Sequence, residues 1–283
     1  MREHIRYYRP QSVAEAVALL REHSGKSAII NGGTDVLIDV RSGKFTGDCL
    51  VDISRIQEIK GVREHDGAII VGAGVTIEEL ATSRILQEKL PALALTGINF
   101  AGRQIRNVAT IGGNVAHASP SGDTQTGLTV YDAVGLVASS EGERTIPVCE
   151  MFKGANKSAL NDTDLLLHFI IRPCAAKYQH FEKIGRRKDL AISRASLAVL
   201  IDQDSDGTIN FARVSLGACK PSTGRMPRTE DFLLGKNPRL SVFREAAKSM
   251  SAEMIAITGR RKSLAYKEPA IEGLLLRMLI PLL

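Results

Sequence analysis

The spacing of apolar residues changes several times along the chain, and each change predicts an element. After Ser12, the residues Val13, Ala16, Val17, Leu19 and Leu20 fall on one helical face. Ser12 is therefore read as the N-cap of a helix that ends near Gly25. SAIINGG is a short apolar run stopped by two glycines, which predicts a strand entering a tight turn. LVDIS is a second strand, and GVREHDGAIIVGAG predicts a hairpin turning at Asp66-Gly67. Thr76 and Glu79 have capping-box spacing. Helical spacing continues to about Leu90, and Pro91 opens another helix over PALALTGINF. Beyond residue 114 the pattern becomes β-like. YDAVGLVASS and GERTIPV read as paired strands, and LLLHFIIRP as an apolar strand ended by Pro173. From about residue 175, YQHFEKI, SRASLAVLIDQD and DGTINFARVSLGAC predict strands separated by turns such as Asp206-Gly207. Helices over PRLSVFREAAKSMSAEM and EPAIEGLLLRML close the chain. The sequence thus predicts an α+β arrangement: residues 1–173, then a smaller α+β part, 174–283, with an antiparallel sheet.

Composition narrows the function classes. The 283 residues are 44% hydrophobic and 24% charged, ordinary for a globular protein. No run of about 18 apolar residues predicts a membrane span. The opening MREHIRYYRPQSVAEAV lacks the apolar core of a secretory signal, the pattern expected of a cytoplasmic chain. The formal charge is +6, from 37 basic and 31 acidic residues. Apart from Arg186-Arg187-Lys188 and Arg260-Arg261-Lys262, the cations are dispersed. With no Trp and 5% aromatic residues there is no base-stacking platform, so no nucleic-acid partner is expected. A docking surface for an acidic partner or an anionic cofactor fits the balance. Cys49, Cys149, Cys174 and Cys219 form no CxxC pair, which argues against zinc or an iron–sulfur cluster carried by this chain alone.

Two glycine-rich segments stand apart. One is Ile30-Asn31-Gly32-Gly33-Thr34-Asp35, and the other is Thr110-Ile111-Gly112-Gly113-Asn114. Each leaves an apolar segment, pairs two glycines and follows with a hydrogen-bonding residue. Each is either a plain turn or a nest of backbone N–H groups for an anion, and two nests would suit a diphosphate. Neither is followed by Gly-Lys-Ser/Thr, so neither is a Walker loop. Gly72-Ala73-Gly74 has Ile77 where a Rossmann fingerprint needs its third glycine.

INGGTDVL, followed by NFAGRQIRNVATIGGNVAHASPSGD, resembles the FAD-binding subunit or domain of the molybdenum hydroxylases: xanthine dehydrogenase, carbon monoxide dehydrogenase and aromatic hydroxylases. YYRPQSVAEAVALL resembles the start of that family. FEKIGRRKDLAIS, PSTGRMPRTEDFLLGK and RRKSLAYKEPAIEGLLLRML resemble its C-terminal domain. The resemblance implies a PCMH-type FAD-binding domain of the vanillyl-alcohol-oxidase-like flavoproteins, with subdomains about 1–57 and 58–173. A C-terminal domain of the CO dehydrogenase flavoprotein type, 174–283, would follow.

It also implies roles for residues. Backbone N–H groups of Ile29, Ile30, Asn31, Gly32, Gly33, Thr34, Asp35 and Val36 would hold the pyrophosphate. Thr110, Ile111, Gly112, Gly113 and Asn114 would hold the phosphate and ribityl region from the other side. Asp123 would accept from a ribose hydroxyl at the adenosine end, or cap its turn. Phe100 falls near the isoalloxazine, or in the core. Leu166 packs on the cofactor, or in the core. Lys183 lies near the flavin ring, where a cation favours the reduced anionic form, or is a solvated strand lysine. The RRKDLAI segment is about two residues shorter than in common members, which bears on Lys183. His117 touches the cofactor or is structural.

The implied function is electron exit. The chain would be a FAD-dependent oxidoreductase subunit with no catalytic acid or base and no metal of its own. Molybdopterin on a large subunit and [2Fe–2S] clusters on a small one would supply electrons, in a dimer of heterotrimers. NAD, a quinone, oxygen or another carrier would accept them. No cysteine-rich insertion for a [4Fe–4S] cluster is present. The alternatives are a stand-alone FAD-dependent oxidoreductase of the same flavin fold, or a module that keeps the fold without flavin. A stand-alone enzyme needs a substrate pocket and proton donor of its own. A flavin-free module would be favoured by loss of a double glycine, and both are intact.

Overall fold

In a computed structural model, residues 5–187 and 190–283 are described. Lys188 and Asp189, within the RRKDLAI segment, lie outside them. The first unit contains β1 (Arg6–Tyr8), α1 (Val13–Glu22), β2 (Ser27–Ile30), α2 (Val36–Arg41) and β3 (Cys49–Asp52). Its strands form a parallel sheet in the order β1-β3-β2. Ser12 caps α1 by accepting from the Glu15 N–H at 3.2 Å. Ala16 and Leu20 pack with Cys49, Val51, Ile56 and Ile59 in a core that also takes Leu165 and Leu167 from the next unit.

The second unit is built on an antiparallel sheet. Its strands are β4 (Val62–His65) and β5 (Ala68–Gly72), then β6 (Val134–Ser139) and β7 (Gly142–Pro147), and finally β10 (Leu165–Ile171). They lie in the order β4-β5-β10-β6-β7. The Asp66-Gly67 hairpin forms as expected, both residues having positive φ (47° and 72°). Between β5 and β6 the chain runs through α3 (Ile77–Thr82), α4 (Arg84–Lys89), α5 (Pro91–Ile98), α6 (Arg103–Arg106), α7 (Ile111–Ala116) and α8 (Asp123–Val130). A small hairpin, β8 (Phe152–Gly154) and β9 (Lys157–Ser158), precedes β10. The Thr76–Glu79 capping box is present. The helix expected to run to Leu90 is broken at Ser83, whose hydroxyl caps α4.

The expectation of β structure directly after residue 114 is corrected. Residues 111–116 and 123–130 are helical, and Thr110 caps the first by accepting from the Gly113 N–H at 3.1 Å. Every residue of α8 is buried, so its pattern has no polar face to reveal a helical period.

The last unit has a four-stranded antiparallel sheet: β11 (Tyr178–Gly185), β12 (Ser193–Gln203), β13 (Ile209–Gly217) and β14 (Gly224–Arg225). It is followed by α9 (Pro227–Leu233), α10 (Leu240–Thr258) and α11 (Leu264–Leu279). These helices cover one sheet face, where Phe243, Met250, Ile271 and Leu275 meet Leu197, Val199 and Val214. The other face packs on the second unit: Phe181, Ala198 and Leu200 share a core with Leu93 and Leu128. Among the described residues, no helix is long and apolar enough to cross a membrane.

Candidate functional site

The first and second units meet along a cavity of about 270 Å³. One wall is the loop from β2 into α2. The other is Phe100 and the segment from Ala109 into α7, with Ala73 and the first residues of β10 closing the floor. Two glycines set the spacing. A Cβ on Gly32 would lie 1.9 Å from the Val108 carbonyl oxygen, so only hydrogen lets the walls approach. A Cβ on Gly112 would lie 2.6 Å from both the Cβ and the carbonyl oxygen of Ala73.

The two glycine pairs differ in chemistry. At the start of α7 the N–H groups already have acceptors. Ile111 donates to the Val75 carbonyl, Gly112 to that of Ala73, Gly113 to the Thr110 hydroxyl and Asn114 to the Thr110 carbonyl, at 2.9–3.1 Å. The reading of this segment as a second N–H nest is therefore corrected; it is a tight helix entry that shapes a wall. In the first loop, Gly33 takes φ +72°. Among the described residues, the N–H groups of Gly32, Gly33, Thr34, Asp35 and Val36 donate to no protein acceptor. A run of unpaired N–H groups lining a cavity is the arrangement that binds an anionic oxygen group.

Of the expected site residues, Ile29, Asn31, Gly32, Gly33, Thr34, Asp35, Val36, Phe100, Thr110, Gly112, Gly113, Asn114 and Leu166 line the cavity. Ile30 and Ile111 do not; their side chains are buried, 8% and 0% exposed. Asn114 is held by its Oδ1, which accepts from the Thr124 hydroxyl at 2.6 Å.

Asp123 and Lys183 do not line the cavity either. The two form an ion pair with each other, Nζ to Oδ2, at 2.6 Å. The Ser193 hydroxyl donates to the other Asp123 oxygen at 2.5 Å. Burial pushes the Asp123 carboxyl up, while Lys183 and Ser193 draw it back toward the ionised form. This pair joins α8 to the last unit's sheet.

The cavity also brings in residues that the motifs did not mark: Ile53, Ala109, Leu160 and Asp164 among them. Asp164 is 3% exposed and held by both terminal nitrogens of Arg144, with the Asn161 N–H at 2.7 Å. His117 lines the cavity, its Nε2 3.8 Å from Asp35 Oδ1 on the facing wall. The sequence left His117 between a cofactor contact and a structural role; it caps the C-terminal end of α7, one turn beyond Asn114.

A cleft between two α+β units, with one wall of free backbone N–H groups and a largely apolar floor, defines a protein that binds a phosphate-bearing cofactor with an apolar end. Residues 3–173 match the family of FAD-binding domains in molybdopterin dehydrogenase, and residues 179–282 match the CO dehydrogenase flavoprotein C-terminal domain. The chain belongs to this family of FAD-binding subunits of molybdenum-containing dehydrogenases. It is similar to the nicotinate dehydrogenase FAD-subunit of Eubacterium barkeri, 27% identical over 98% of this chain and 95% of that one. It is 30% identical to the carbon monoxide dehydrogenase medium chain of Hydrogenophaga pseudoflava, over 89% of this chain and 86% of that one. The solved structure of a carbon monoxide dehydrogenase from that organism, lacking the Mo-pyranopterin moiety, superimposes with a TM-score of 0.86. That match has 28% identity and covers 98% of this chain and 94% of that one.

Proposed function

We propose that this chain holds FAD in the cleft as the electron-exit subunit of a molybdenum hydroxylase. In that assembly a large molybdopterin subunit and a small [2Fe–2S] subunit are its partners. The observation that carries the reading is the open run of N–H groups from Gly32 to Val36, faced by a wall that Gly32 allows to approach. The pyrophosphate is assigned to this run, where the free N–H groups replace its hydration. Thr110, Gly112, Gly113 and Asn114 border the ribityl region by shape. Phe100 and Leu166 supply apolar surface for the isoalloxazine. FAD held there would supply the redox chemistry between the partner's clusters and an external acceptor such as NAD, a quinone, oxygen or another carrier. The chain's own residues orient the cofactor and exclude water around its phosphates. Asp123 and Lys183 act as a positioning pair, locking the segment that follows α7 onto the last unit. The proposed assembly is a cytoplasmic dimer of heterotrimers.

The visible spectrum of the purified chain tests the cofactor, and the co-purified complex tests the electron path. Flavin bands, with FAD released by acid, are expected from the chain. In the complex, substrate is expected to bleach the flavin after the clusters are reduced. A complex that, after incubation with FAD and desalting, releases no FAD on acid treatment would overturn the cofactor assignment. Flavin that remains oxidised beside reduced clusters would overturn the electron path.

A further inference from the structure

Away from the cleft, the described residues bring together one group of metal-ligating side chains of three kinds. His23 follows the last turn of α1, and Asp48 and Cys49 lead into β3. A ring nitrogen of His23, a carboxylate oxygen of Asp48 and the Cys49 sulfur lie within 4.8 Å of one another. Backbone bonds hold the two segments in place. The Lys26 N–H donates to the His23 carbonyl at 2.9 Å. The Lys26 carbonyl accepts from the N–H groups of Asp48 and Cys49 at 2.8 and 3.3 Å. Tyr8 stacks on the His23 ring with centroids 5.1 Å apart.

Two polar atoms of this group lack protein partners. His23 is 6% exposed, and its Nε2 is buried without a hydrogen bond; Asp48 Oδ1 is buried and unpaired as well. Buried unpaired polar atoms are uncommon because they lose hydration without replacement. Here both belong to side chains grouped with the fully buried Cys49 thiol. The other Asp48 oxygen accepts from Arg6 Nη2 at 2.7 Å, which fixes the carboxylate from outside. Glu22 Oε1, on the solvent side, lies 3.9 Å from His23 Nε2.

We propose that His23, Asp48 and Cys49, with Glu22 as fourth ligand, form a structural site for a zinc-class divalent cation. Thiolate, imidazole and carboxylate are the donors such a borderline-soft ion takes, in tetrahedral array. Ligand distances of about 2.0–2.3 Å place donors roughly 3.5 Å apart, so the His23, Asp48 and Cys49 donors, within 4.8 Å of one another, close by at most about 1.3 Å around the ion. The ion satisfies both orphaned atoms and ties the end of α1 to β3. The lack of cysteine pairs, which weighed against zinc in the sequence, does not bear on a set with a single thiolate. The donors come from two segments, and no spacing motif reveals them.

The test uses the full chain with its flavin, exposed to zinc and then passed through a desalting column, with retained metal measured by mass spectrometry. About one equivalent is expected in the wild type and in the Cys149→Ser and Cys174→Ser variants, and almost none in Cys49→Ser or His23→Gln. Asp48→Asn, which keeps the side-chain shape, is expected to weaken retention at least about 10-fold. Cadmium-113 NMR of the wild type is expected to show one resonance in the range of single-thiolate ligation. That measurement stands even if Cys49→Ser does not fold. A wild type that retains no metal, retention in His23→Gln or Cys49→Ser equal to that of the wild type, or a cadmium resonance without sulfur would each overturn the proposal.

Discussion

An alanine methyl at position 32 would sit 1.9 Å from the Val108 carbonyl oxygen and 2.6 Å from its carbon. The backbone cannot yield to that contact without moving one wall of the cleft. The sequence marks Gly32 and Gly33 as a pair but does not distinguish their reasons. Gly33 is needed for its φ of +72°, Gly32 for close approach. Gly112 is likewise a close-approach glycine, against Ala73, although it stands in a helix. Such contacts join residues far apart in the chain, so no local pattern announces them. Gly32→Ala is expected to weaken FAD binding at least about 10-fold, or roughly 1.4 kcal/mol, read by quenching of flavin fluorescence on the deflavinated chain. Gly273→Ala is the control, since a Cβ there meets nothing within 4 Å and the residue is helical. Equal affinity in the two variants would remove the β2–α2 loop from the binding wall.

At the scale of elements, the long helices were legible because one face of each meets a core and the other is more exposed, and the strands because they are apolar runs bounded by turn residues, several of them buried on both faces. The Asp66-Gly67 hairpin, the three strands from 178 to 217 and the helix over 240–258 follow from those patterns. The short helices α7 and α8 were not. Two glycines open α7, against helix propensity, and tertiary contacts to Ala73 and Val75 override that preference. Helix α8 is enclosed on all sides and carries Asp123, Thr124, Gln125, Thr126 and Thr129 inside the protein. Each needs a partner, and several find one across the domain seam. Thr126 and Ser196 hydroxyls lie 3.0 Å apart, and Asp123 meets Lys183 and Ser193. Removing one member of a buried ion pair strands the other charge. Lys183→Met alone is therefore expected to lower stability by about 3–5 kcal/mol. The double variant Asp123→Leu with Lys183→Met is expected to recover most of that loss, because no charge is left unpaired. Urea unfolding of the wild type, the two single variants and the double variant measures the coupling. Additive losses would mean that Lys183 and Asp123 act independently, as the sequence alone had suggested.

For the whole molecule, the change of character near residue 175 suggests two parts, yet the packing ties them together. Phe181, Ala198 and Leu200 belong to the same core as Leu93 and Leu128. Polar contacts cross the same seam. The Tyr131 hydroxyl donates to Gln179 at 2.6 Å, the Ala218 N–H to the Pro120 carbonyl at 2.9 Å, and Arg225 pairs with Asp132 at 2.7 Å. A chain of this size commonly unfolds in stages, one domain at a time. Here, cutting at residue 173 would expose the apolar face beneath β11 and β12 and deprive Asp123 of its cation and of the Ser193 hydroxyl. The transition for residues 1–173 and the transition for the rest are therefore expected to coincide. Calorimetry of the deflavinated chain should give a single endotherm whose calorimetric and van't Hoff enthalpies agree. The isolated segment 1–173 should retain far-UV ellipticity but lose near-UV signal and bind a hydrophobic dye, the behaviour of a collapsed state without fixed packing. Two resolved endotherms, with a segment 1–173 that folds and binds FAD by itself, would show that the seam is a docking contact between independent domains. The Asp123–Lys183 pair would then influence how the units sit together and not whether the cleft forms.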